Sequence, residues 1–106
     1  MSAHATPQIV FHITTPEAWE AACAAGGVAP PSLEAEGFVH CSTIEQIPGT
    51  LARHFAGRTG LIALMIDTRL LSAPLRWEPV RDERFPHVHG PINIDAVVGV
   101  QPLADQ

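Results

Sequence analysis

The sequence predicts a single α+β domain with mixed or antiparallel sheets and two or three helices, mainly in its N-terminal half. Helical patterns occur before residue 57, whereas short apolar runs typical of strands dominate after Gly60. Helices that precede strands, instead of alternating with them, are typical of α+β folds. The 10 prolines indicate short strands joined by defined turns. A length of 106 residues suits one domain, which we place at 8–103 behind a flexible leader at 1–7.

The first strand and helix are predicted from a change in residue pattern. Residues 8–13 are apolar, β-branched and aromatic, as in a buried strand. Thr14 and Glu17 have the spacing of a capping box around a proline, so a helix is predicted from this point to Gly26. Its predicted apolar face contains Trp19, Ala22 and Cys23.

The stretch 37–46 is where we expect the functional site. Phe38 and Val39 favour a strand, and Ser42 with Glu45 three residues later predicts a capping box at a helix start. A helix start carries unpaired N–H groups and a partial positive charge, so we expect it to hold an anion such as phosphate. The preceding residues 28–36 contain a double proline and are predicted to be a connection.

The remaining elements follow from apolar runs and breaker residues. The run at 60–67 is the most apolar in the chain and predicts a central strand buried on both faces. The other predictions are a short and a longer helix within 43–56, a helical turn at 68–71, a strand at 75–80, a charged turn at 81–84, an extended segment at 85–91 and a last strand at 95–103.

Charge and composition exclude several partners and reactions. The formal net charge is -5, and all six basic residues are arginine, so no basic stripe for nucleic acid is expected. The lack of lysine excludes Schiff-base chemistry and a phosphate-loop lysine. No apolar run reaches the length of a membrane span, and Cys23 and Cys41 are expected to be reduced thiols. We therefore expect a cytoplasmic protein, whose oligomeric state the sequence leaves open.

Several motifs, in a fixed order, carry a resemblance to a known family. They are Phe11–Thr14, Gly37–Thr43 with Glu45–Gln46, Ile66–Asp67, Trp77–Glu78 and Phe85–Pro91. Over nearly its whole length the chain resembles a bacterial family catalogued as domain of unknown function number 952. That family is grouped by remote similarity with the ADP-ribosyltransferase-like fold, in which two small sheets with helices enclose a cleft for NAD. The resemblance implies that fold here.

The resemblance also implies a ligand and a reaction. His12 would hold a ribose hydroxyl of NAD, Ser42 would line the nicotinamide side, and Glu78 is the strand-borne candidate for the late glutamate of those transferases. Cleavage of nicotinamide from NAD builds positive charge on the ribose, which a nearby carboxylate stabilises. We expect a polar cleft that binds NAD or a related nucleotide and transfers ADP-ribose, without a metal. The predicted catalytic residues are His12, His40 and Glu78, and the predicted cofactor-binding residues are Thr14, Ser42, Thr43 and His87.

Three alternatives stay open at this stage. The first is a binding or interaction module without catalysis. The second is a metal site, because imidazoles and a thiol are zinc ligands. The third is a Cys-His nucleophile, with Cys41 activated by His12 or His87. The ligands considered for a metal are His12, His40, His87, His89 and Cys41.

Overall fold

The computed structural model describes residues 6–104, so residues 1–5 of the predicted leader lie outside the described part. Over that range the chain forms three α-helices, eight strands and two 3-10 turns, at Thr68–Leu70 and Ile94–Ala96. In chain order the helices and strands are β1 (Ile9–Thr14), α1 (Pro16–Ala25), β2 (Gly27–Val28), α2 (Pro31–Glu36), β3 (Val39–His40), α3 (Ile47–His54), β4 (Ile62–Asp67), β5 (Leu75–Val80), β6 (Glu83–Val88), β7 (Ile92–Asn93) and β8 (Val97–Pro102).

The strands form antiparallel sheets, as expected of an α+β domain. One sheet has the order β1-β4-β8, a second has the order β3-β6-β5, and β2 pairs with β7. All three described helices precede β4, which confirms the predicted early position of the helices. Strand β4 lies at the centre of its sheet, and Leu64 and Ile66 are completely buried, as its apolar sequence predicts.

One pair of residues joins the two larger sheets. Phe11 in β1 and Ser42 exchange both backbone hydrogen bonds, each with an N···O distance of 2.8 Å. The predicted capping box of Ser42 and Glu45 is therefore wrong, because the Ser42 amide is already paired with a strand. The reciprocal bonds belong instead to Thr43 and Gln46, one residue further on. Since α3 begins only at Ile47, no helix start offers unpaired amides at Ser42.

Helix α1 begins and ends close to the predicted positions. Thr15 is extended, and its Oγ1 accepts from the Ala18 amide at 3.1 Å, so Thr15 is the N-cap and the predicted pairing of Thr14 with Glu17 is wrong. Gly26 ends the helix with φ of 90°, as predicted. Cys23, predicted on the apolar face, is exposed, and Ala22 is the only residue of α1 that is buried.

Four local predictions differ from the structure. The charged turn predicted at 81–84 is confined to Arg81 and Asp82, because Glu83 and Arg84 are paired strand residues of β6. The predicted connection at 28–36 contains α2, whose double proline lies at the helix start, where proline is tolerated. A single helix, α3, replaces the predicted pair, because Pro48 also lies in a first turn. The predicted last strand begins at Val97, after a 3-10 turn.

Candidate functional site

A cleft of about 670 Å³ opens beside the junction of the two larger sheets. Strand β1, helices α2 and α3, and the polar face of the β3-β6-β5 sheet contribute to its lining. The imidazoles of His12, His40 and His87 come from three separate strands, and all three line this cleft. Thr14 and Ser42 line it as well. Five of the seven predicted site residues therefore lie around one hollow.

His12 is held as a neutral imidazole. It is buried on β1, and its Nδ1 lies 2.7 Å from the backbone oxygen of His40. A carbonyl only accepts, so Nδ1 carries the proton and donates it. Burial lowers the pKa of His12, and the nearby His40 adds to the lowering, although the hydrogen bond to the His40 carbonyl opposes it. Consequently Nε2 of His12 is unprotonated and can accept a hydrogen bond.

His40 is paired with a carboxylate that the sequence did not indicate. Its Nε2 lies 3.2 Å from Oε2 of Glu36, the last residue of α2, and both side chains are 51% exposed. Glu36 lines the cleft and is the only carboxylate to do so among the described residues. Sequence reasoning missed Glu36 because it treated α2 as an irregular connection.

Glu78 holds two histidines from one side. Its Oε1 accepts from Nδ1 of His87 at 2.7 Å and from Nε2 of His89 at 2.9 Å. The hydrogen bonds from His89 and His87 lower the pKa of Glu78. The ring of Phe38 stacks on that of His87, with centroids 4.0 Å apart, which restrains the imidazole further. His87 and His89 are two residues apart in an extended segment, so both face the Glu78 carboxylate.

Two predicted residues lie outside the cleft lining. Glu78 contacts His87 without lining the cleft, and the side chain of Thr43 is engaged by the Gln46 amide. Ser42 lines the cleft, but its Oγ lies 3.1 Å from Oγ1 of Thr50 and its amide is bound to Phe11. The proposed phosphate site on the Ser42 amides is therefore not present.

The cleft is rich in arginine although the chain is acidic. Arg53, Arg58 and Arg81 line it, half of the six arginines in a chain of net charge -5. They come from α3, from the segment after α3 and from the turn between β5 and β6. No sequence pattern connects these three positions, so the charge of the cleft could not be predicted. The only available signal was that every basic residue of the chain is arginine.

The two chemical alternatives gain no support from the geometry. Burial raises the pKa of the Cys41 thiol to about 12, so it is protonated at neutral pH and is a poor nucleophile. Over residues 6–104, no three side chains among His, Cys, Asp and Glu are close enough together to hold a metal ion.

The fold and the cleft are those of a small antiparallel α+β domain, and sequence comparison identifies its family. The chain belongs to the family described as "Protein of unknown function (DUF952)", which matches residues 13–100. This confirms the family predicted from the motifs. His12 lies one residue before the matched range.

Solved structures of one bacterial protein are similar to this chain. The crystal structure of protein CC0527 from Caulobacter crescentus is 32% identical and has a TM-score of 0.79, with 87% of this chain and 82% of that chain covered. Its solution NMR structure is 31% identical, with a TM-score of 0.76 and coverage of 92% and 86%. No curated protein sequence matches significantly. In the described residues, no helix has the length and apolar character needed to cross a bilayer.

Proposed function

We propose that the cleft binds NAD or a related nucleotide and that the protein is an ADP-ribosyltransferase-like enzyme that transfers ADP-ribose. The observation that carries this proposal is that His12, His40 and His87 open onto a single cleft. A volume of about 670 Å³ lies within the range of small-molecule and cofactor sites. Its lining combines apolar side chains with a few convergent polar groups, as such sites require.

His12 supports recognition of a ribose. Its Nδ1 is occupied by the His40 carbonyl, so Nε2 is the acceptor that remains. A ribose hydroxyl is a donor of the right kind, and a neutral buried imidazole accepts from it without charge. The hydroxyl of Thr14, two residues along the same strand, faces the same side and can add a second contact.

Glu36 supports the chemical step better than Glu78 does. In ADP-ribose transfer the bond between nicotinamide and ribose breaks, and nicotinamide leaves with the electron pair. The acceptor oxygen or nitrogen bonds to the ribose carbon and releases its proton to solvent. A carboxylate next to the cationic carbon lowers the barrier. Because Glu36 lines the cleft and Glu78 does not, we assign that role to Glu36. Glu78 instead positions His87.

Binding is tested by NMR titration with NAD and with ADP-ribose at up to millimolar concentration. We expect the amide signals of His12, Thr14 and Glu36 to shift. Those of Val98 and Val100, on β8 and outside the cleft lining, should stay in place. If no cleft signal moves, the protein does not bind these nucleotides and the proposal fails.

Turnover separates an enzyme from the alternative, a binding module without catalysis. We expect release of nicotinamide from NAD, with Glu36→Gln reducing the rate at least tenfold while nucleotide binding persists. Glu20→Gln, an exposed carboxylate on α1, is the matched control. Binding without any nicotinamide release would favour the non-catalytic module.

A further inference from the structure

We propose that Arg53, Arg58 and Arg81 form a phosphate subsite at one end of the cleft, which takes the diphosphate of a nucleotide ligand. This inference deepens the proposed function, on which it rests for the identity of the ligand. It assigns to the three arginines the anion-binding role that was expected at Ser42, whose backbone amide is already paired with Phe11.

None of the three guanidinium groups forms an ion pair with another described residue. The ion pairs of residues 6–104 involve Arg69, His40, His87 and His89, and none involves an arginine of the cleft. In a chain with five more acidic than basic groups, surface arginines have many carboxylates to pair with. The three cationic side chains are therefore available to an anion. Guanidinium groups bind phosphate oxygens through paired hydrogen bonds, and Mg²⁺ is not required for that contact.

Two of the arginines, both exposed, lie over aromatic rings. The guanidinium carbon of Arg53 lies 5.9 Å from the centroid of Phe85, and that of Arg58 lies 5.5 Å from the centroid of Phe55. Both distances are within the range of cation–π contacts. Arg53 also packs over Gly49, where a side chain would meet its Nη1 at 3.2 Å. These contacts restrict the long side chains, so less entropy is lost when a phosphate binds.

Arg81 occupies a backbone position that disfavours it. Its φ is 59°, and it is the only residue other than glycine with a positive φ in the described range. Glycine, asparagine or aspartate is preferred at such a place in a two-residue hairpin turn. An arginine here is energetically unfavourable locally, yet its side chain lines the cleft. Strained residues concentrate at binding sites, and the proposed phosphate contact gives this one a function.

The order of groups along β6 determines which end of the proposed ligand would lie toward the hairpin turn. The Arg81 turn precedes Glu83, Arg53 lies over Phe85, and His87 pairs with His40. At about 3.3 Å per residue, Glu83 and His87 are roughly 13 Å apart. The phosphates would lie toward the hairpin turn, and the ribose to be cleaved would lie by the histidines and Glu36.

The test compares ligands with and without phosphate by calorimetry. The variants are Arg53→Gln, Arg58→Gln and Arg81→Asn, and Arg76→Gln on β5, outside the cleft lining, is the control. We expect each cleft variant to weaken ADP-ribose and inorganic pyrophosphate at least tenfold, with weaker binding at higher salt. Binding of uncharged nicotinamide should not change, and neither should any affinity of Arg76→Gln. Arg81→Asn should melt no lower than the wild type, since asparagine tolerates a positive φ.

Failure of this inference differs from failure of the proposed function. If ADP-ribose binds all cleft variants as tightly as the wild type, the arginine subsite is wrong and the nucleotide proposal stands. If pyrophosphate binds through the arginines while NAD and ADP-ribose do not bind, the subsite stands and the nucleotide proposal fails. If the wild type binds no phosphorylated ligand, both are overturned.

Discussion

At the scale of single residues, the chemistry of the cleft depends on which ring nitrogen of each histidine is already hydrogen-bonded within the protein. In His12 and His87 the occupied atom is Nδ1, bound to a carbonyl and to a carboxylate respectively. In His40 it is Nε2, which Glu36 engages. The ring nitrogens that remain are Nε2 of His12, Nε2 of His87 and Nδ1 of His40. The sequence predicted these histidines as site residues, but it could not show the partners, which come from distant segments.

The buried His12 should make stability fall in mild acid. Its folded pKa is lowered below the ordinary value of 6.5, so the unfolded chain binds a proton at a higher pH than the folded protein. The contribution of His12 to the free energy of unfolding is complete above about pH 6.5. It decreases as the pH falls below that value, by up to about 1.4 kcal/mol per pH unit. Urea unfolding of the wild type and of His12→Asn between pH 7.5 and pH 5 measures this. Parallel profiles for the two proteins would contradict a neutral His12.

Replacing Glu78 should release the His87 ring. Glu78→Gln removes the charge on the oxygen that accepts from His87 and His89, so the Nδ1–H of His87 loses a strong acceptor. We expect the imidazole nitrogen and proton signals of both histidines to move in NMR spectra, with the fold retained. The lowered pKa of Glu78 gives stability above its ordinary value of 4.5, which is lost as the pH falls through the folded value. The Glu78→Gln variant should therefore not show this decrease in stability at acidic pH. Unchanged imidazole signals would show that Glu78 does not position His87.

At the scale of elements, local sequence patterns predicted which segments form helices and strands better than how these elements pack together. Strands β1 and β4 followed from apolar runs, β5 was predicted at its observed bounds, and α1 followed from Pro16 and Gly26. The two-residue strands β2, β3 and β7 are too short to carry a periodic pattern, although Phe38 and Val39 predicted a strand at β3. The capping box was misplaced because Ser42 and Thr43 offer the same spacing, and only the pairing of Ser42 with Phe11 decides between them.

The N-cap of α1 offers a direct stability test. Thr15→Ala removes the acceptor for the Ala18 amide and should cost about 1 kcal/mol, which lowers the melting temperature by about 4 °C or more. Thr15→Ser keeps the oxygen and is the matched control. Thermal unfolding followed by circular dichroism measures both variants. An alanine variant as stable as the serine variant would show that the cap contributes nothing.

At the scale of the whole molecule, the cleft arises where one sheet meets the other. Apolar side chains on both faces of the β1-β4-β8 sheet form two clusters, and the polar face of the β3-β6-β5 sheet remains for the cleft. The sequence predicted the α+β class with antiparallel sheets and the family, since these depend on element order and motifs. The arginine lining was not predictable, because it depends on how three unrelated segments approach each other.

The central strand should govern the stability of the whole domain. Leu64 is completely buried in β4, so Leu64→Ala should cost about 2–5 kcal/mol in the free energy of unfolding. Val98→Ala on β8, at a side chain 52% exposed, should change it by about 0.5 kcal/mol or less. Urea denaturation followed by tryptophan fluorescence and by circular dichroism should give coincident transitions for each variant. Separate transitions would mean that the two sheets unfold independently.

The backbone hydrogen bonds between Phe11 and Ser42 connect β1 to the segment after β3, and both of these segments line the cleft. Helix α2, in contrast, contributes no fully buried residue, and only its partly buried Leu33 packs against the core. Local opening of the cleft should therefore occur by movement of α2, while the hydrogen bonds between Phe11 and Ser42 stay formed. In deuterated solvent, the Phe11 and Ser42 amide protons should persist long after those of α2 have exchanged.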